Sequence, residues 1–165
     1  MRLRGEPAEI EVRGPNVFAG YWERPDANSE AFTADGFFRT GDLGTLDDGG
    51  YLVISGRARE LLISGGYNVY PREVEEALAE DPRILEAAVV GTHSPEWGDA
   101  ITAYLVTAND EEISPEAVRE FLASRLAPYK HPRILFRVDA LPRNALGKLQ
   151  KHRLQEGRVL ENEET

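Results

Sequence analysis

The sequence predicts an α+β fold, in which a small second domain with a three-stranded sheet and helices follows a β-rich first part. Three observations carry this expectation. Up to Ile54 short apolar runs alternate with turn residues; beyond Gly56 helical and strand-like periodicities alternate; and 165 residues, 41% hydrophobic and 29% charged, suffice for a packed core.

Taken in order, residues 9–54 read as short strands and turns. Ile10-Glu11-Val12 alternates, while Gly14-Pro15-Asn16, Asp35-Gly36 and Asp47-Asp48-Gly49-Gly50 supply turn chemistry, as in a small barrel or meander. Residues 61–69 read as a hairpin in which Gly65 and Gly66 accept positive φ at the turn. A helix follows. Pro71 suits its first turn, Val74, Ala77 and Leu78 form an apolar face, and Glu73, Glu75, Glu76 and Glu80 read as its wet face. Residues 87–90 and 101–106 are strand-like and expected to pair. Ser114-Pro115 is an N-cap followed by a first-turn proline, opening a helix along which Val118, Phe121, Leu122 and Leu126 recur until Pro128 stops it. Residues 134–138 give a third strand, and a short helix with a frayed tail is expected over the last fifteen or so residues. The domains implied are 1–58 and 59–165.

The net charge of −10, from 29 acidic and 19 basic residues, disfavours nucleic acid and anionic membranes as partners, because these polyanions bind basic surfaces. No cysteine is present, which excludes disulfides, thiolate zinc sites and cysteine nucleophiles. Three histidines, His93, His131 and His152, lack ligand-like spacing, so no metal site is expected. The start carries no apolar stretch like a signal peptide, and a cytoplasmic location is expected.

Three separated segments carry chemistry. The first runs from Gly20-Tyr21-Trp22 to Phe38-Arg39-Thr40-Gly41-Asp42-Leu43-Gly44. The second is Gly56-Arg57-Ala58-Arg59-Glu60, continuing through Ser64-Gly65-Gly66-Tyr67-Asn68-Val69-Tyr70-Pro71. The third is Pro142-Arg143-Asn144-Ala145-Leu146-Gly147-Lys148, preceded by Tyr129-Lys130-His131-Pro132. Taken alone, Asp42 reads as a turn former, Gly65-Gly66 as a hairpin turn and Lys148 as a solvated loop lysine. In this order and spacing, the segments together resemble the later motifs of the adenylate-forming enzymes, the superfamily of acyl-CoA synthetases, peptide-synthetase adenylation domains and luciferases. Within it the Gly-Gly-Tyr-Asn-Val-Tyr-Pro stretch looks most like malonyl-CoA and fatty-acyl-CoA synthetases.

The resemblance implies a role for each residue. Asp42 would accept hydrogen bonds from the ribose hydroxyls of ATP, which suits a carboxylate with several acceptor sites. Arg57 would contact nucleotide ribose and phosphate with a permanently charged fork. Arg59 falls where the family places its hinge, more often aspartate or lysine. Gly65 and Gly66, bordered by Tyr67 and Asn68, would line the channel for the pantetheine arm of CoA. Lys148 would be catalytic, standing between carboxylate oxygen and α-phosphate during adenylation.

The resemblance covers the last third of a family member. The phosphate-binding loop and the acyl pocket are absent, so the chain is expected to be the carboxyl-terminal piece of a ligase, inactive by itself. The parent would convert a carboxylic acid, ATP (with Mg) and CoA into acyl-CoA, AMP and pyrophosphate, whereas the isolated chain would require no cofactor. The alternative is a non-catalytic module that serves as substrate of a protein lysine acetyltransferase at Lys148.

Overall fold

A computed structural model describes residues 1–5, 7–108, 113–155 and 158–159. The chain divides into two compact units, Met1–Arg59 and Glu60–Thr165.

The first unit is an antiparallel meander of β1 (Arg2–Arg4), β2 (Glu9–Val12), β3 (Phe38–Leu46) and β4 (Leu52–Arg57), in that spatial order. Ile10 and Leu43 are its buried apolar residues, and Phe18, Tyr21, Phe32 and Phe38 form a chain of edge-to-face or tilted rings. Glu11, only 2% exposed, is tied to the Arg2 guanidinium, which also grips Asp35. A buried charge of this kind is tolerable because it is paired. The hydrogen bond from Arg2, followed by that from Thr33, holds the Asp35 carboxyl well below the usual carboxylate range.

The sequence reading placed only strands and turns here, and the helix α1 (Pro25–Ala31) corrects it. Its origin is local. Pro25 occupies the first turn, and the Asn28 side chain accepts from the Tyr21 amide at 2.7 Å and donates to the Tyr21 carbonyl at 3.0 Å. None of its seven residues is buried, so no apolar stripe announces it.

The second unit is α+β, as the sequence predicts. β7 (Ile84–Ser94) and β8 (Gly98–Thr107) pair antiparallel along their whole length, from Ile84↔Thr107 to Ser94↔Gly98. β9 (Ile134–Arg137) lies parallel to β8 on its other side. The expected hairpin, β5 (Leu62–Ser64) and β6 (Tyr67–Val69), joins the same sheet through Ser64↔Gly98, so five strands assemble where three were read.

Both faces of this sheet are covered. On one side α2 (Pro71–Ala79) and α3 (Pro115–Leu122) pack Val74, Leu78, Val118 and Leu122 against Val89, Ile101 and Leu105. On the other, Ala88 and Tyr104 pack with Leu141 and Leu154 from the carboxyl-terminal segment. Burial on two sides explains why β8 reads as a nearly unbroken apolar run instead of an alternating one.

Ser114 caps α3, its Oγ accepting from the Ala117 amide at 3.2 Å. The helix ends at Leu122, short of Leu126. That leucine is still buried, delivered by a turn in which its amide bonds the Leu122 carbonyl at 2.9 Å. In place of the expected terminal helix there is a 3₁₀ turn, Lys151–Arg153, followed by a ribbon of β10 (Leu154–Gln155) and β11 (Arg158–Val159); residues 160–165 lie outside the described set. No helix among the described residues is long and apolar enough to cross a membrane.

Two outcomes follow. Leu78 is fully buried, and Leu78→Ala should destabilise the second unit by about 2–5 kcal/mol in urea unfolding. Asp81, 2% exposed, accepts a forked pair of bonds from Arg83 at 2.6 and 2.9 Å, and these hold its carboxyl below the ordinary value. A carboxyl depressed in the folded state stabilises fully above its unfolded pKa of about 4 and loses that stabilisation as pH falls through the folded value. The urea midpoint of Asp81→Asn should therefore lie below that of the parent at neutral pH and approach it under acid.

Candidate functional site

In the first unit the Thr40-Gly41-Asp42 element sits in β3 within a register shift against β2 and just before a second one, against β4, at Leu43/Gly44. Such irregularities turn backbone and side chains out of the regular ladder. Thr40 Oγ1 donates to the Ile10 carbonyl at 2.8 Å and accepts from the Asp42 amide at 3.1 Å, while the Gly41 amide donates to Glu9 Oε1 at 3.2 Å. These bonds fix the bend from within the unit.

Asp42 and Arg57, read from separate motifs, stand opposite one another in the β3–β4 register. Arg57 Nε approaches Asp42 Oδ1 at 2.9 Å, and its Nη1 donates to the Thr40 carbonyl at 3.0 Å. The guanidinium is half exposed and the carboxylate about a quarter, so each keeps a polar edge toward solvent. Arg59 is exposed on a 3₁₀ turn, Ala58–Glu60, and lines an open cleft of about 720 Å³ together with Glu9, Tyr21, Arg24, Thr40 and Gly41.

In the second unit Gly65 and Gly66 form the two-residue turn of the β5–β6 hairpin, closed by Ser64↔Tyr67. Their φ values of +57° and +82° are those of a primed turn, whose twist matches the flanking strands. The Gly65 amide donates to the Trp97 carbonyl at 2.9 Å, and the Ile63 amide to Asp99 Oδ2 at 2.9 Å, which pins the hairpin to the start of β8. Both glycines are exposed, as is Tyr67, which stacks on Tyr129 with ring centroids 4.5 Å apart. The Trp97 ring also carries the Arg133 guanidinium, at 3.3 Å.

Lys148 stands on a different hairpin, between Pro142 and Gln150. Asn144 organises it: its Oδ1 accepts from the Leu146 and Lys148 amides at 3.0 and 2.9 Å, and its own amide donates to the Lys148 carbonyl at 2.9 Å. Gly147, at φ +78°, completes the turn, and Arg143 closes it by donating to the Gly147 carbonyl while pairing with Glu86 of β7. The Lys148 side chain is exposed, and among the described residues its amine has neither a hydrogen bond nor an ion pair. The arrangement is a fixed backbone presenting an exposed cation. Between Lys148 and the Gly65-Gly66 turn no hydrogen bond is formed among the described residues.

Sequence reasoning missed the ion pairs beneath these hairpins. Lys130 Nζ contacts both oxygens of Glu73, at 2.5 and 2.7 Å. Lys151 Nζ lies 2.8 Å from Glu75 Oε1 and 3.1 Å from Glu60 Oε2. Glu75 also accepts from the Val89 amide at 2.7 Å and is only 19% exposed, so it is no part of the helix's wet face. Its partners are distant in sequence, and no local spacing signals them.

Residues 73–148 match the family described as AMP-binding enzyme C-terminal domain. The chain is 50% identical over 151 residues to the 2-succinylbenzoate–CoA ligase of Bacillus velezensis, covering 92% of this chain and 30% of that one. It is 41% identical over 156 residues to a long-chain-fatty-acid–CoA ligase of Mycobacterium tuberculosis, covering 94% and 30%. Among solved structures it is similar to the o-succinylbenzoate CoA synthetase of Bacillus subtilis in complex with an acyl-adenylate intermediate, at a TM-score of 0.84 and 42% identity over 92% of this chain and 31% of that one. The chain thus spans about 30% of the length of the curated ligases it matches.

The hairpin geometry yields a direct test. Asn144→Ala removes the acceptor of two amides, and protection of the Leu146 and Lys148 amides in hydrogen exchange should fall roughly tenfold, as for the loss of about one hydrogen bond's net stabilisation.

Proposed function

We propose that this chain, whose residues 73–148 match the AMP-binding enzyme C-terminal domain family, is the carboxyl-terminal part of an ATP-dependent acyl-CoA ligase, supplying its adenylation lysine and the turn past which CoA enters. The observation that carries the proposal is the exposed amine of Lys148, unpaired among the described residues, on a hairpin whose backbone is fixed by Asn144.

In the first half-reaction a carboxylate oxygen attacks the α-phosphorus of ATP and pyrophosphate leaves. Negative charge gathers on the oxygens drawn together, and an ammonium held near them stabilises that arrangement more than the separated reactants. A lysine already bound to a carboxylate would have to break that bond first; among the described residues Lys148 has no such bond. Asp42 and Arg57 suit the nucleotide. One carboxylate oxygen is engaged by Arg57, which leaves the other to accept from ribose hydroxyls, and the exposed side of the guanidinium is open to a phosphate. Magnesium would accompany the phosphates of ATP.

In the second half-reaction the CoA thiol attacks the acyl carbon and AMP leaves. The exposed Gly65-Gly66 turn, bearing no side chains and bordered by Tyr67 and Asn68, suits a slender pantetheine arm passing close to backbone. Rotation about Arg59 would exchange the Lys148 hairpin for this turn. The division of the chain after Arg59, and the exposure of that residue, support placing the pivot there. On this reading residues 1–58 are the end of a large nucleotide-binding domain and 59–165 the mobile lid. The acid would be selected by residues beyond this chain.

The same exposed amine suits a second use, as the acceptor of a protein lysine acetyltransferase. Acetylation would remove the charge that adenylation requires.

In the full-length protein, Lys148→Ala should slow acid-dependent pyrophosphate release by roughly two to three orders of magnitude while sparing thioester formation from preformed acyl-adenylate. An unchanged pyrophosphate rate overturns the assignment. The 165-residue chain alone should release none, and release would show it to be catalytically complete.

A further inference from the structure

We propose that Lys151 is a positioning residue that locks the Lys148 hairpin to the first residue beyond the pivot, so that rotation at Arg59 reaches Lys148 as the motion of one rigid body. The inference rests on the lid reading given above, and it concerns a residue to which that reading assigns no part.

Lys151 lies three residues after Lys148, where the chain leaves the hairpin. Its ammonium sits between two carboxylates, Glu60 Oε2 at 3.1 Å and Glu75 Oε1 at 2.8 Å. All three side chains are largely covered, with 21%, 35% and 19% exposure, so the attraction is less screened than at an open surface. Each carboxylate leads to a different part of the unit. Glu75 is on α2, and its Oε1 also accepts the Val89 amide, which fixes it to β7. Glu60 directly follows Arg59 and ends the 3₁₀ turn that contains it.

Without this bridge, Glu60 and Leu61 would form a free leader between the pivot and β5. A dihedral change at Arg59 could then dissipate in the leader instead of turning the sheet. With it, the residue after the pivot is bonded to the segment that carries Lys148 and, through Glu75, to the central strands. The site needs two carboxylates because one partner alone would hold Lys151 either to the pivot or to the sheet. Lys151 therefore governs where Lys148 and the Gly65-Gly66 turn arrive, and both half-reactions depend on it, whereas Lys148 serves only the first.

The test uses the full-length protein, with the two half-reactions measured separately. Lys151→Met keeps length and removes charge; it should lower kcat of both adenylation and thioester formation by roughly tenfold to a hundredfold, the scale of a misplacement of about 1 Å. KM for ATP and for the acid should change less than twofold, and the thermal midpoint should stay within a few degrees of the parent. Lys151→Arg should restore most of kcat. Glu60→Gln should reproduce the defect, and Lys151→Met with Glu60→Gln should be no slower than either alone. If Lys151→Met leaves both rates intact, slows adenylation only, or loses activity in proportion to folded protein, the proposal is overturned. Failure of the underlying reading shows differently, as an adenylation rate unmoved by Lys148→Ala.

Discussion

The second unit is organised by the fact that β8 is buried on both faces. Ile101, Ala103 and Leu105 point into the helical layer, while Tyr104 points the other way, toward Leu141 and Leu154. A strand in this position cannot be stable with only α2 and α3 beside it, because Tyr104 would then present a large ring to water. The carboxyl-terminal segment supplies the missing cover. Leu141 precedes the Lys148 hairpin, Leu149 lies on its returning arm and Leu154 follows it, all in the cluster around Tyr104. The hairpin is thus a loop suspended between two apolar anchors on a sheet, and its exposed tip, with Leu146 92% accessible, is reached from a rigid base. A side chain on a short, well-anchored loop has both access and a fixed position.

Much of this was legible in the sequence because it depends on local pattern. The β7–β8 pairing, the serine cap of α3, the glycine turn between β5 and β6 and the apolar face of α2 all follow from residues within a few positions of one another. What remained hidden depended on partners far away. α1 buries nothing, so no periodicity marks it; its support is Asn28 reaching back to Tyr21. Glu75 carries the charge expected of a solvated helical face, yet it turns to the Val89 amide and Lys151. Leu126 recurs at helical spacing but is buried from a turn beyond the end of the helix.

The candidate site divides along the same line. The candidate residues were read from three motifs, each defined by neighbouring residues. That Asp42 and Arg57 pair across β3 and β4, or that Lys151 ties Glu60 to Glu75, could not be read from spacing, because register and side-chain reach decide both. Ion pairs contribute little to stability at an open surface, and their cost or benefit grows as they are covered.

The lone parallel pairing in the sheet has a consequence for how the unit forms. β7 and β8 are joined through residues 95–97 and can zip together as a local hairpin, whereas β9 reaches its place beside Thr102 only after the chain has passed through α3 and returned, with Ile134 as its first partner. Closing that longer excursion carries a larger entropic cost before any contact repays it. Pairing β7 with β8 thus carries the lower closure cost, and the face of that hairpin bearing Ala88 and Tyr104 is the surface on which the segment beyond β9 rests.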